Sequence, residues 1–182
     1  MAARSETSNM EALLVLTLGF DPVTLARLQT LRDRYVQPER NVVPAHLSLL
    51  HQLPGREAPA VRTALAALAR STRPLPLTFL APRKLGSGVA LPVACPALLT
   101  LFDRLKDAFA PWIAPQDRQP FQPHVTLQIK ATPAEIDRAL AELMADFPLG
   151  HAGWAGTGTA LLLWRYRGGP WEEDGTYPLG VG

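Results

Sequence analysis

The 182-residue chain has a single cysteine, Cys95, which excludes an internal disulfide and any metal centre built from several thiolates. Lysine is nearly as scarce, with Lys84, Lys106 and Lys130 standing against fifteen arginines. The formal net charge is only +2. That is too little to argue for a nucleic-acid binder from bulk charge, because a basic footprint has to be concentrated on one face. No stretch approaches the run of about 18 apolar residues that a membrane span needs, so no membrane partner is expected. Histidine is limited to His46, His51, His124 and His151. His46 and His51 stand five apart on one strand and so face opposite ways, and no carboxylate cluster accompanies the histidines. No metal site and no cofactor are expected. The first ten residues, MAARSETSNM, read as a disordered N-terminus. The apolar stretch after Glu11 lacks the basic lead and small-residue cleavage site of a signal peptide, and a cytoplasmic location is expected.

What is present is an ordinary globular composition, 47% hydrophobic and 19% charged. "ALLVLTLGF" (12–20) is a short apolar run that fits a buried strand. Asp21 and Pro22 then supply a helix cap and a first helical residue, with Leu25, Leu28, Leu31 and Tyr35 following at helical spacing. A strand is expected around 46–53 and a helix around 57–71, with Val61, Leu65 and Leu68 on one side. "PLPLTFLAPRKLGSGVALPVA" reads as two strands joined by a turn at Gly86, Ser87 and Gly88. The next helix carries Leu98, Leu101, Leu105 and Phe109. A strand then begins at His124. Thr132, Pro133 and Glu135 form the opening of a further helix, with a capping box and an apolar stripe of Ile136, Leu140, Leu143 and Phe147. "GTALLLWRYRGG" gives one more strand and "TYPLG" a closing edge piece. The order predicts two similar α+β halves without a linker between them, so residues 11–182 are expected to form one bilobed domain, with a monomer and no obligate protein partner.

Two four-residue stretches repeat one pattern. Residues 46–49 read HLSL and residues 124–127 read HVTL. Side chains alternate along a strand, so each stretch presents an imidazole beside a hydroxyl, backed by aliphatic residues that anchor it in a core. The alternation places His124, Thr126, Gln128 and Lys130 on one face. It groups His46, Ser48 and Gln52 on another, and sends His51 to the opposite side as a structural or surface residue. An imidazole titrates near neutral pH and can take or give a proton. A hydroxyl two residues on can donate to a phosphate oxygen. Two such pairs facing one another make a phosphodiester site that needs no metal, with acid–base catalysis worth roughly 10²–10⁴-fold per group.

In "RNVVPAHLSLLHQLP" and "FQPHVTLQIK" the chain resembles the paired H-x-[ST]-x motifs of the 2H phosphoesterase superfamily, and within it the 2′-5′ RNA ligase (LigT-like) branch of RNA 2′,3′-cyclic phosphodiesterases. The resemblance extends over nearly the whole chain. It implies an α+β, bilobed fold: two pseudo-symmetric lobes whose antiparallel sheets line a central cleft, with helices outside. It assigns catalysis to His46 and His124 and phosphate binding to Ser48 and Thr126. The implied reaction opens a 2′,3′-cyclic phosphate, on an RNA end or a small cyclic nucleotide, to a 2′-phosphate. The reverse direction is 2′-5′ RNA ligation. The branch often carries arginine five residues after the second histidine, where this chain has Ile129. Lys130, one further on, is the candidate replacement. Arg40 is a candidate for steering phosphate and Tyr166 for stacking a base. Two alternatives stand beside this reading: an RNA- or nucleotide-binding module with little turnover, and a hydrolase of another small cyclic phosphate such as ADP-ribose cyclic phosphate. Which histidine is base and which acid stays open.

Overall fold

Apolar residues fill all but one position of the first strand, β1 (Leu13–Phe20), and seven of its eight residues are buried. A strand apolar on both faces must be covered on both, and β1 lies inside a sheet between β2 (Leu47–Pro54) and β7 (Trp154–Tyr166). Its one polar side chain, Thr17, accepts a hydrogen bond from Trp164 Nε1 at 2.9 Å. The computed structural model describes residues 12–147 and 153–180, so His151 lies outside the described residues.

β7 is the longest strand at 13 residues. Its C-terminal part pairs with β1 on one edge and with β8 (Glu172–Pro178) on the other, while its first residues pair with β3 (Leu75–Phe79). From β3 the pairing passes to β5 (Gly88–Ala94), which holds both β4 (Arg83–Leu85) and β6 (His124–Gln128). Every pairing is antiparallel. One sheet thus carries the first motif on β2, and a second carries the other motif on β6, with β3 and β5 joining them. The chain is α+β, and its described residues form an eight-stranded antiparallel arrangement and four helices.

The helices are α1 (Pro22–Tyr35), α2 (Ala58–Arg70), α3 (Pro96–Ala108) and α4 (Pro133–Ala145). The Asp21 carboxylate caps α1 by accepting from the Val23 and Thr24 amides, both at 3.0 Å. The capping box at Thr132 and Glu135 is formed in full. Two expectations need correction. The buried face of α1 is Thr24, Leu28 and Arg32, while Leu25 is exposed. The stretch 75–94 makes three strands, because Leu80–Pro82 leaves the ladder between β3 and β4. Pro82 has no N–H to give a ladder. Gly86, at φ +55°, serves the tight turn from β4 to β5. Gly88 has no room for a Cβ, which would fall 1.8 Å from the Gln128 carbonyl oxygen.

Candidate active site

His46 stands immediately before β2, and His124 opens β6. The two rings are held in the same way. His46 Nδ1 lies 2.7 Å from the carbonyl oxygen of Pro44, and His124 Nδ1 lies 2.7 Å from that of Gln122. A carbonyl can only accept, so each Nδ1 carries the hydrogen. Each neutral ring therefore keeps its lone pair on Nε2. In both motifs the clamp comes from the residue two places upstream. Both histidines line one cavity of about 280 Å³, together with Ser48 and Thr126. The structure therefore brings together the four residues read from the two motifs. Among the described residues, no three His, Cys, Asp or Glu side chains converge as metal ligands.

Burial dominates the environment of His46. Burial pushes its imidazole down to about 4, against a raising hydrogen bond to the Pro44 carbonyl, and the nearby Arg32, His51 and His124 lower it further. The Trp171 ring packs against it, with centroids 4.9 Å apart, and Trp164 stands 6.2 Å behind Trp171. Sequence reasoning misses Trp171. It sits beyond the turn residues Gly168–Pro170, in a position without strand or helix periodicity.

The strict alternation expected along both motif strands ends after four residues. In β2, Ser48 pairs with Thr17 but Leu50 pairs with Leu16, so two residues advance against one, and Leu49 and Leu50 are both buried. In β6, Thr126 pairs with Ala90 but Gln128 with Val89, and Leu127 and Gln128 are both buried. Each is a β-bulge placed directly behind its H-x-[ST]-x motif, and a bulge re-aims every later side chain. The bulge in β2 turns His51, expected on the far side, into the cavity. The bulge in β6 takes Gln128 out of the cleft and into the interior. The run of adjacent buried leucines in "HLSLL" was the available signal.

Helix α1 holds both motifs at once. Gln29 Oε1 accepts from the Ala45 amide at 2.8 Å, one residue before His46. The buried Arg32 donates from Nη1 to the Thr126 carbonyl at 2.8 Å and from Nε to Asn41 Oδ1 at 2.9 Å. Asp33 Oδ1 accepts from both Gln29 and Asn41 at 2.6 Å, closing the network. Arg32 occupies a core-facing position of the helix, where periodicity alone reads an apolar residue. Arg32→Ala is expected to cost about 1.5–3 kcal/mol, the range for hydrogen bonds to a charged group. It is also expected to lower kcat more than it raises KM, because Thr126 loses its fixed height. Urea unfolding and steady-state kinetics on the same preparation measure both.

The remaining candidates lie elsewhere. β6 ends at Gln128, and Lys130 adopts φ +50° beyond it. Lys130 does not share the histidine face. It lines a separate cavity with Arg40, whose Nη1 reaches the Lys130 carbonyl at 3.5 Å. Tyr166 ends β7 opposite Leu13, 38% exposed, and does not line the histidine cavity. Its neighbour Arg165 turns inward to an ion pair with Asp174. The aromatic ring packed against His46 is Trp171.

Two antiparallel sheets each lend one imidazole and one hydroxyl to a shared cavity. Solved structures share the fold. TT0787 of Thermus thermophilus superimposes with a TM-score of 0.64 at 18% identity, covering 93% of this chain and 100% of its own. E. coli LigT complexed with 3′-AMP gives a TM-score of 0.60 at 20% identity, covering 93% and 99%. A protein described as a phosphoesterase gives 0.59 at 17% identity, covering 93% and 99%. No curated protein sequence matches the chain. The sequence model of the 2′-5′ RNA ligase superfamily matches residues 20–170, and the chain belongs to that family. The family is enzymatic, of the phosphoesterase and RNA-ligase type. Among the described residues no helix is long and apolar enough to cross a membrane.

Proposed function

We propose that the protein is a phosphodiesterase that opens 2′,3′-cyclic phosphates of nucleotides or RNA ends by paired imidazole catalysis. The observation that carries this is the matched clamp on the two rings: each Nδ1 is tied to a carbonyl, and both rings line the cavity that also holds Ser48 and Thr126. Among the described residues neither Nε2 has a hydrogen-bond partner, and each is available for proton transfer. The cyclic phosphate sits between the motifs, with the Ser48 and Thr126 hydroxyls donating to its non-bridging oxygens. His46, kept neutral by burial, takes a proton from water through Nε2. The water oxygen bonds to phosphorus, the P–O3′ bond breaks, and protonated His124 delivers its Nε2 proton to O3′. The product is a 2′-phosphate beside a free 3′-hydroxyl. Run in the same direction with a 5′-hydroxyl in place of water, the same residues form a 2′-5′ linkage and release the 3′-hydroxyl. The mechanism asks for no metal. The nucleotide bound by E. coli LigT, 3′-AMP, is of the size this cavity admits.

The test is hydrolysis of a 2′,3′-cyclic nucleotide with EDTA present, and steady turnover is the expected result. Folded protein that turns over no cyclic phosphate would overturn the reading. The pH profile tests the assignment of roles. His46 is active in its neutral form, and its proton is held only below about pH 4. Because kcat/KM reports the free enzyme, its acid limb should bend near that value and not at the usual imidazole value of about 6.5. An acid limb that does not bend near that lower value would overturn the assignment of His46 as the base.

A further inference from the structure

A third imidazole stands in the cleft and plays no part in the chemistry above. Asp117, buried on the 3₁₀ turn Pro115–Arg118, holds His51 with both carboxylate oxygens. Oδ2 accepts from the His51 backbone amide at 2.9 Å, and Oδ1 stands 2.6 Å from His51 Nδ1. The backbone amide can only donate, and a carboxylate can only accept. Nδ1 therefore carries the hydrogen, and in the neutral ring the lone pair is on Nε2. The His51 side chain is half exposed while that of Asp117 is 2% exposed. The carboxylate sits behind the ring, and the ring lines the cavity. This is the orienting arrangement that fixes the tautomer of a working imidazole.

The rest of that wall limits what the ring can meet. Among the described residues lining the cavity there is no lysine or arginine, and its single carboxylate is the one engaged by His51. The same cavity is lined by the amides of Gln116 and Gln119 and the ring of Phe121, which is stacked on Phe102 at 3.9 Å. A second phosphate would find no cation there. A flat, uncharged group with a hydrogen-bonding edge matches each of these side chains. At about 280 Å³ the cavity has the capacity of a single nucleotide unit.

Resting on the cyclic phosphodiesterase reading, we propose that His51, oriented by Asp117, is the specificity-determining contact for a nucleobase attached to the single reacting phosphate, and that its Nε2 accepts a hydrogen bond from an amino group on the base edge. Cytosine and uracil differ at that edge by an amino group against a carbonyl, so they separate the two hydrogen-bonding senses. An unmatched pairing costs roughly one neutral hydrogen bond, about tenfold in affinity.

The experiment compares 2′,3′-cyclic CMP, 2′,3′-cyclic UMP and the base-free cyclic phosphate of glycerol at pH 8.5, above the ordinary imidazole range. Wild type should favour the cytidine substrate over the uridine one by about tenfold in kcat/KM, mainly through KM. In His51→Gln the amide can donate or accept, and the preference should shrink to within about threefold. Asp117→Asn keeps an oxygen for the His51 backbone amide and turns its NH₂ toward Nδ1. The hydrogen of the ring then moves to Nε2, and the preference should reverse toward uridine. A trinucleotide ending in a 2′,3′-cyclic phosphate should react no faster than 2′,3′-cyclic CMP. Thermal melts confirm that each variant is folded, and His51→Gln carries the test if Asp117→Asn is not. Wild type that turns over the substrates without distinguishing the two bases overturns this proposal alone, as does a preference that survives His51→Gln. A trinucleotide that reacts much faster, with strong salt dependence, overturns the single-phosphate substrate. Folded wild type that turns over none of them at pH 8.5 or at neutral pH, glycerol cyclic phosphate included, overturns the phosphodiesterase reading itself.

Discussion

His46→Ala and His124→Ala should each lower turnover of a 2′,3′-cyclic nucleotide by about 10²–10⁴-fold, the loss that follows removal of one general acid or base. The two variants remove groups that act in one concerted transfer. The double variant should therefore fall little further than either single one. Both rings sit at strand starts and line the cavity, so the fold should survive, and circular dichroism with thermal melting would show it. The control is Ser48→Ala, where a phosphate oxygen loses one donor but proton transfer remains. Its expected loss is smaller than that of either histidine. Equal activity in wild type and either histidine variant would place the chemistry elsewhere.

The largest effect on stability is expected at Asp174. This carboxylate on β8 is fully buried, and it pairs with Arg62 of α2 at 2.6 Å and with Arg165 of β7. Burial pushes its proton affinity up, but the two guanidinium groups outweigh that and hold it below the ordinary carboxylate range. Asp174→Ala leaves Arg165, with a side chain only 12% exposed, without its counter-charge. Breaking a buried pair from one side typically costs about 3–5 kcal/mol. Urea denaturation at pH 7 would measure it. The pH dependence follows the same sign: the pairing contributes in full above the ordinary Asp value of about 3.9 and is lost as the pH falls below it. A further replacement of Arg165 by methionine should recover part of the loss, because it removes the stranded charge.

How much of this was legible in the sequence depended on range. The H-x-[ST]-x motifs could be read because a period of two holds over four residues, and over those four residues both strands keep it. Helix α4 could be read because Thr132 and Glu135 meet within one turn. The bulges could not, since they arise from register against β1 and β5, strands distant in sequence. Strict alternation therefore puts His51 on the wrong face, and its partner Asp117 stands 66 positions away. Lys130 fails as a cleft residue because β6 ends at Gln128 and the alternation does not reach it. Arg32 is hidden in a different way. A helical stripe predicts which positions face inward, but not that a buried guanidinium at one of them will reach across 94 positions to the Thr126 carbonyl.

The pairing of β1 with β7 has a consequence for how the chain comes into being. Leu13 opposes Tyr166, and Phe20 opposes Gly158, so β1 leaves the ribosome long before the strand it pairs with. The hairpin of β1 and β2 can form early, but β1 exposes an apolar edge until β7 arrives. Contacts of such long sequence separation slow folding and lengthen the interval in which an unpaired strand is open to wrong partners. The first motif therefore acquires its final surroundings only after β7 has been made, and a nascent chain lacking β7 carries an unfinished sheet.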